Sequence, residues 1–265
     1  MKRVNKSLPP NPLTLFAATH SNATWDDFRN HGVTGQVAGT DYKSVKNTVF
    51  SDQGEICAYC EVKTPHTSPH KQRLEHFHSK SDTTNPAINW ALDWNNILGV
   101  CIGGNDANIA LHPLPENLSC DSHKDYILTD AQKNHCEGLY LNPLELVAFP
   151  CLFALNKATG ELQADVNNCS IVTIEQNQYA TTEELVTETI RILNLNCYRL
   201  KDARLEVLKL YNQEIAKARK SNNTQIFTEL SARWFNNKWP SFFTTRRILL
   251  GQHAKSYLTS IRFTG

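Results

Sequence analysis

The last third of the chain carries apolar residues at regular helical spacing. From Thr181 onward, residues such as Leu185 and Ile192 recur every three or four positions, which is typical of an amphipathic helix. Thr181 and Glu184 have the spacing of a capping box, so this helix is predicted to begin there. The same pattern predicts further helices at 198–220, near 225–236 and at 242–258. The buried stripe of the first of these is predicted to consist of Leu200, Leu205, Leu208 and Tyr211.

Before Thr181 the pattern is shorter and mixed. Residues 1–21 are rich in Pro and Asn and are predicted to form an irregular arm, followed by a short helix over 22–31. Segments 152–156 and 161–165 flank a Lys-Ala-Thr-Gly turn, which predicts a β-hairpin. A further strand is predicted over 170–175. Short strands followed by a run of helices predict the α+β class.

The composition is that of an ordinary globular protein, with 40% apolar and 20% charged residues. No stretch approaches the roughly 20 apolar residues that span a bilayer, and the first residues lack the apolar region of a signal peptide. We therefore expect no membrane contact and a cytoplasmic location. In that reducing compartment, eight cysteines indicate metal or redox chemistry rather than disulfides.

Charge is distributed unevenly along the chain. Residues 197–265 contain 13 Lys or Arg against 4 Asp or Glu, whereas the preceding residues contain 14 against 22. Such a basic segment suits a polyanionic partner such as nucleic acid. A solvated helix surface or a protein docking surface remains open as an alternative.

Four cysteines have spacings that suit one tetrahedral ion. Cys57 and Cys60 form a CxxC pair, and Cys101 and Cys120 follow on either side of an 18-residue loop. A CxxC pair with a second pair downstream predicts a structural zinc site. A buried core thiol at Cys101 is the alternative. The other cysteines lack such spacing and are predicted to be small buried apolar residues: Cys136, Cys151, Cys169 and Cys197.

Glu75 and His76 are the candidate catalytic pair. A carboxylate can hold Mg²⁺, which keeps several waters, and a histidine can take a proton from water near neutral pH. Adjacent residues of a strand point to opposite faces, so the pair can flank one substrate only where the strand bends or twists. An ordinary surface Glu-His pair is the alternative.

The order of these motifs resembles the HNH nuclease superfamily, and more narrowly the PtuB nucleases of Septu and retron anti-phage systems. The likeness covers about residues 54–200, and its motifs are CAYCE, EHF, WNNIL ending in a cysteine, CxxxK, FALNKATGELQ and ETIRILNLN. It implies a ββα-metal finger stabilised by a four-cysteine zinc site. The corresponding organisation is an N-terminal arm with short helices (1–53), the HNH core (54–135), a β-hairpin extension (136–180) and a helical region (181–265).

The resemblance also implies a role for each matching residue. His76 matches the general base, Glu75 the acidic ligand of a catalytic Mg²⁺ or Mn²⁺, and Asn96 the asparagine that braces the loop between strand and helix. Cys57, Cys60, Cys101 and Cys120 match the zinc ligands. The third motif position, usually His or Asn, follows the last cysteine.

That third position is Asp121, which departs from the family pattern. His123 and Asp125 are rival metal ligands, and Asn105 would match instead if the CIGGN segment were the true counterpart. The sequence leaves these alternatives open.

Five other residues near the pair are also assigned roles. Lys80 and Lys124 are candidates for contact with substrate phosphates, although both can equally be surface lysines. His78 is expected to face solvent. Trp90 and Trp94 are expected to anchor the core of the finger rather than to stack on bases.

The function implied is metal-dependent hydrolysis of phosphodiester bonds in DNA, or in RNA such as tRNA, by the toxic effector of an anti-phage defence system. The implied partners are a PtuA-type ATPase, the nucleic acid substrate and, in a retron, a reverse transcriptase with its noncoding RNA. The alternatives are a catalytically silent zinc-knuckle module that binds nucleic acid and a structural subunit. His76 distinguishes them, because a silent module needs no base beside a carboxylate.

Overall fold

Two short antiparallel strand pairs lie among helices in the computed structural model, which describes residues 1–32, 37–236 and 239–265. The first pair joins β1 (Gln72–His76) to β2 (Ile97–Cys101), with Glu75 opposite Leu98 and His76 opposite Ile97. The second joins β3 (Phe153–Leu155) to β4 (Leu162–Ala164). This second pair confirms the predicted β-hairpin, and the mixture of helices and small sheets agrees with the α+β class.

Helices make up most of the remaining regular structure. In chain order they are α1 (Asn11–Thr19), α2 (Trp25–Asn30), α3 (Thr40–Asp52), α4 (Cys120–Ile127), α5 (Asp130–Lys133), α6 (Val166–Cys169), α7 (Thr182–Ile192), α8 (Tyr198–Lys220), α9 (Ile226–Phe235), α10 (Phe243–Leu250) and α11 (Gln252–Ser260). Within the described residues, none of these helices combines the length and the apolar character needed to cross a bilayer.

The prediction of an irregular arm over residues 1–21 is wrong, because α1 lies within it. Pro10 precedes the helix and Pro12 occupies its first turn, where a missing backbone N–H has no cost. Leu13 and Phe16 are buried, and α1 packs against α3. The burial of these two side chains supplies the stabilisation that the local sequence did not reveal.

The strand pair β1–β2 lies between two clusters of buried side chains. Leu98 and Val100 belong to the first cluster, which extends to the β3–β4 hairpin, α7 and α8. Leu74 and Ile97 belong to the second, formed with α1, α2 and α3. Both faces of the pair are therefore covered, which explains the uninterrupted apolar run in β2. A third cluster joins α9, α10 and α11 to Ile56.

Gly99 allows α3 to approach β2 closely. A Cβ atom at this position would lie 3.0 Å from the Phe50 ring and 3.1 Å from Gln53 Nε2. In the space that glycine leaves, the buried Gln53 amide donates to the carbonyls of Gly99 (2.7 Å) and Ile56 (3.0 Å). Gln53 Oε1 also accepts from the Gly99 N–H at 2.8 Å. One side chain therefore links α3, β2 and the segment that leads to Cys57.

The predicted strand over 170–175 is absent from the structure. Asp165 caps the short helix α6 through the N–H of Asn168, and the chain then continues in turns. Ile171 is 75% exposed, so the apolar residues here do not form a buried face. The local pattern suggested a strand, but a strand here would need a neighbour to pair with. Within the described residues, β3 and β4 pair with each other and with no third strand.

The helical region follows the prediction more closely. Thr181 caps α7 through the N–H of Glu184, and α8 has the predicted bounds. The single helix predicted over 242–258 is divided at Gly251, whose φ of 52° and ψ of −122° end α10 and begin α11. Glycine tolerates this left-handed backbone. The break lets α11 return to pack against α9.

Replacing Gln53 by methionine tests the link between α3 and β2. The variant keeps the side-chain volume but leaves the buried Gly99 N–H without its partner, so we expect a loss of roughly 2 kcal/mol in the free energy of unfolding. Urea unfolding followed by circular dichroism measures it. The control is Gln252→Met, because Gln252 is exposed on α11. Equal midpoints for the two variants would contradict the role given to Gln53.

Candidate functional site

Four cysteine thiols meet at one buried point. Cys57 and Cys60 lie in the turn after α3, Cys101 ends β2, and Cys120 begins α4. The Sγ–Sγ distances are 3.7 Å for Cys57–Cys120, 3.6 Å for Cys60–Cys101 and 3.8 Å for Cys101–Cys120. Tetrahedral zinc–thiolate bonds of about 2.3 Å place the sulfurs about 3.8 Å apart. The four thiols thus have the spacing to hold a metal such as zinc.

Two arginines of α8 lie beside this cluster. Arg199 Nη2 donates to Ser119 Oγ at 2.8 Å, next to Cys120. Burial opposes protonation of Arg199, but neighbouring thiols, those of Cys197 and Cys60 first, raise its pKa overall. Burial lowers the pKa of Arg204 to about 10, so it stays charged at neutral pH. Four thiolates on one divalent ion carry excess negative charge, which these guanidinium groups partly balance.

Arg204 was not found by sequence reasoning. It is fully enclosed and donates to the carbonyls of Leu195 and Gly160. The expected apolar stripe of α8 ran through Leu205 and Leu208, which are only partly buried. A usable signal did exist, because Arg204 follows the buried Leu200 by four residues, one helical turn.

The loop between Cys101 and Cys120 is closed at its base. Besides the sulfur contact, Gly103 O accepts from the Ser119 N–H at 3.0 Å. Gly103 has a φ of 66°, and a Cβ atom there would lie 2.6 Å from the Ser119 carbonyl oxygen. Glycine is therefore required for this closure.

Glu75 and His76 lie on opposite faces of β1. The pairing with β2 is regular through both residues, so the strand does not bend between them. Glu75 faces α4, whereas His76 faces α2. The two side chains consequently have separate surroundings.

On the Glu75 face, two carboxylates share one ammonium group. Lys124 Nζ contacts Glu75 Oε1 and lies 3.5 Å from Asp121 Oδ1. Arg73 Nη1 lies 3.2 Å from Asp121 Oδ2. All but Arg73 are buried. The side chains of Glu75 and Asp121 therefore converge on a cation.

One oxygen of Asp121, Oδ1, is buried with the Lys124 ammonium 3.5 Å away. Oδ1 is inaccessible and lacks a hydrogen bond among the described residues. Burial, with a contribution from Asp125, raises the pKa of Asp121 to about 6. An oxygen of this kind beside a second carboxylate fits a hard cation such as Mg²⁺ or Mn²⁺, which takes oxygen ligands. The residues present therefore suit the ion that the family resemblance implies.

The rival third ligands have other contacts. His123 Nδ1 lies 2.9 Å from the Ile192 carbonyl. Asp125 is 53% exposed and pairs with Lys133 at 3.4 Å. Asn105 is exposed and donates to the Ile102 carbonyl. Of the four candidates for the third metal ligand, Asp121 is the one whose carboxylate lies beside the same ammonium group, that of Lys124, as Glu75 does.

His76 is buried and neutral. Its Nε2 lies 3.1 Å from the Ala91 carbonyl, and its ring meets Trp25 edge to face at 4.7 Å. Because a carbonyl only accepts, Nε2 carries the hydrogen and Nδ1 keeps the lone pair. Burial lowers the pKa of His76 to about 4. At neutral pH the imidazole is therefore in the form that can accept a proton.

Asn96 holds the backbone that follows β1. Its Oδ1 accepts from the His78 N–H at 2.7 Å, and its Nδ2 donates to the carbonyls of His78 (3.0 Å) and Trp90 (2.8 Å). These contacts are to backbone groups, so Asn96 acts as a positioning residue.

The two candidate phosphate-binding lysines differ in access. Lys80 is exposed and lines a groove of about 1050 Å³ between α2 and residues 80–93. Burial lowers the pKa of His76, and the positive charge of Lys80 lowers it further. Lys124 is buried against Glu75, so the alternative of a surface lysine is wrong for it.

The expectation that His78 faces solvent is also wrong, because this side chain is buried. It stacks on Trp90 with ring centroids 3.9 Å apart and lies between the carboxylates of Asp82 and Glu137. Hydrogen bonds to these two carboxylates offset the free-energy cost of burying a polar ring. Trp94 is buried as expected, and Trp90 is half-buried.

Replacing Cys60 by serine should remove the metal held by the four thiols. Loss of one ligand leaves three segments of the chain without their common attachment, so we expect one metal equivalent fewer and a clearly lower melting temperature. Elemental analysis and thermal unfolding measure these. Cys169→Ser is the control, because Cys169 is a buried thiol near the Leu152 carbonyl. Wild-type values for Cys60→Ser would refute a metal at this cluster.

Comparison with known proteins identifies the family of this chain. The chain matches no protein-family model. A protein of Escherichia coli named "Retron Ec83 putative HNH endonuclease" is 36% identical over 252 residues, which are 94% of this chain and 93% of the relative. The likeness thus covers nearly the whole chain. The chain belongs to the HNH endonuclease family.

Proposed function

We propose that this nuclease hydrolyses phosphodiester bonds of nucleic acid in a metal-dependent reaction at the C-terminal end of β1. One observation carries the proposal: the Glu75 and Asp121 carboxylates converge on a single buried cation, while the neighbouring residue is a neutral histidine. The elements β1, β2 and α4 would form the ββα-metal finger that the resemblance implied.

Glu75 and Asp121 would hold Mg²⁺ or Mn²⁺ in place of the Lys124 ammonium. When bound, such an ion stabilises negative charge on the phosphate and on the leaving oxygen. Lys124 would then be released from Glu75 to contact a substrate phosphate. Arg73, which is exposed beside Asp121, is a second cation within reach of the same substrate.

His76 would take the proton of the attacking water at Nδ1. The Ala91 carbonyl fixes the tautomer by accepting from Nε2, as a general base requires. Asn96 would keep the backbone after β1 in place. The strand is straight through both residues, so a phosphodiester that contacts both Glu75 and His76 would have to lie at the end of β1, which is at His76.

Basic residues offer the surface that a nucleic acid needs. Lys80 lines the groove beside His76. At the end of α8, Lys217, Arg219 and Lys220 are exposed in the basic part of the chain. Their contacts with phosphates would be independent of sequence and weakened by salt. The same helix end could instead bind a protein partner.

The biological setting is proposed from the relative and the resemblance. The name of the relative assigns that protein to a retron. We place this chain in a retron anti-phage system, as a toxic effector that cleaves DNA, or RNA such as tRNA. A PtuA-type ATPase would control it, together with a reverse transcriptase and its noncoding RNA.

The base is tested by His76→Ala in the purified full-length protein. Loss of a general base lowers the rate about 10²–10⁴-fold. Cleavage of DNA and of RNA is followed with Mg²⁺, with EDTA, and with and without the partner ATPase. His70→Ala, an exposed histidine before β1, should keep full activity. Equal cleavage by wild type and His76→Ala would reject a nuclease reaction at this site, whereas no cleavage by wild type under any of these conditions would favour the silent zinc-knuckle module.

The third ligand is tested by a matched pair in α4. Asp121→Ala should raise the Mg²⁺ concentration for half-maximal cleavage at least about tenfold, since even outer-shell partners of metal ligands contribute that much. Asp125→Ala removes an exposed carboxylate of the same helix and should not change it. The opposite result would assign the ligand to Asp125.

A further inference from the structure

A second group of potential metal ligands lies apart from the four cysteines and from Glu75. We call it the His78 cluster, and it consists of His78, Asp82, Cys136 and Glu137. His78, Asp82 and Cys136 are buried, whereas the Glu137 side chain is 35% exposed. The cluster joins the chain just after β1 to the segment that follows α5.

Three side chains of the cluster point their donor atoms at one place. His78 Nδ1 lies 2.6 Å from Glu137 Oε1 and 3.9 Å from Cys136 Sγ. All three donor atoms lie within 4.8 Å of one another. Bonds of about 2.0–2.3 Å from zinc to N, O and S place neighbouring donors roughly 3.3–3.8 Å apart. Small side-chain rotations would bring the three donors to those separations.

The other nitrogen of His78 has the partner that a metal-bound histidine requires. Nε2 lies 2.7 Å from Asp82 Oδ2, and Asp82 Oδ1 in turn accepts from the Thr84 N–H at 2.9 Å. Metal-binding histidines almost always donate their second N–H to a carboxylate, a carbonyl or water, which fixes the ring and raises its basicity. This contact is independent of the three converging donors.

The ligands are also held rigidly before any ion binds. Trp90 stacks on the imidazole, and Asn96 accepts from the His78 N–H. Gln178 donates to the carbonyl of Glu137 at 2.9 Å. Rigid donors lose little conformational freedom on binding an ion. A hydrogen-bonded histidine between two carboxylates would need no thiol 3.9 Å from the same nitrogen.

We propose that His78, Cys136 and Glu137 bind one divalent ion of the zinc class, with Asp82 orienting the imidazole. One thiolate, one imidazole and one carboxylate suit Zn²⁺ better than the harder Mg²⁺ or Ca²⁺. Three protein ligands leave a fourth position for water, on the side where Glu137 is exposed. The ion ties the chain two residues after His76 to the segment after α5. It is therefore a positioning site for the base and is separate from the proposed catalytic ion.

Metal content of the purified full-length protein tests this site without reference to nuclease activity. Wild type loaded with Zn²⁺ and freed of loosely bound ions by dialysis should contain two equivalents. Cys136→Ser and His78→Gln should each contain one. The control Cys169→Ser should contain two, because its thiol lies outside both clusters. One equivalent in wild type, or two in both cluster variants, would overturn the proposal.

Cobalt gives a second readout that does not depend on the folding of any variant. In wild type, Co²⁺ at the four-cysteine site should show intense thiolate-to-metal absorption, and the second equivalent a weaker band from its single thiolate. Two equivalents bound with only the band of the four-thiolate site would also reject a ligand at Cys136. Unchanged far-ultraviolet circular dichroism in His78→Gln would show that its lost equivalent reflects a lost ligand.

Discussion

The meeting of four thiols at one point determines where every other group of the site lies. Cys101 ends the strand that pairs with β1, and Cys120 immediately precedes Asp121. Any ion held there sets the distance between the strand pair and α4, and therefore between Glu75 and Asp121. Without it, three segments far apart in sequence would be joined by apolar contacts, a few hydrogen bonds and the ion pair of Lys124 with Glu75. Arg199 and Arg204 show that α8 takes part, since it brings positive charge to the sulfur cluster.

The alternation of side chains along β1 separates two kinds of environment. The Glu75 face is a network of buried charges closed by Lys124 and Arg73. On the His76 face, burial beside Trp25 keeps the ring neutral, although the hydrogen bond to the Ala91 carbonyl by itself raises the pKa of His76. Neither environment could serve the other residue, because a buried carboxylate needs a cation and a proton acceptor must stay uncharged. The two faces of β1 thus place a charged carboxylate beside a cation and an uncharged imidazole in an apolar setting.

Sequence reasoning succeeded where short-range rules decide the outcome. Cysteine spacing identified the four thiols that the structure brings together, and the capping pair Thr181 and Glu184 located the start of α7. The turn between β3 and β4 was equally local. In each case the residues that determine the structure are neighbours or belong to a recognisable motif.

It failed where distant residues decide. α1 owes its stability to packing against α3, and His78 is buried because Glu137, 59 residues later in the chain, lies against it. The buried Arg204 replaced an expected leucine stripe, since its carbonyl partners come from Gly160 and Leu195. The roles proposed for Glu75, His76 and Asp121 come from the family resemblance and the chemistry of their side chains, since packing alone does not assign them.

Because the loop between Cys101 and Cys120 is closed at its base, its length and sequence can change without disturbing the rest of the fold. Its two ends are joined by a sulfur contact and by the hydrogen bond from Ser119 to Gly103, so the loop leaves and re-enters the fold at one place. Lengthening such a loop costs little, because each doubling adds only about 0.6 kcal/mol of closure entropy. Relatives could therefore carry long, short or differently charged segments here without moving Asp121. Variation in target or partner can accumulate in this segment while the neighbouring chemistry stays constant.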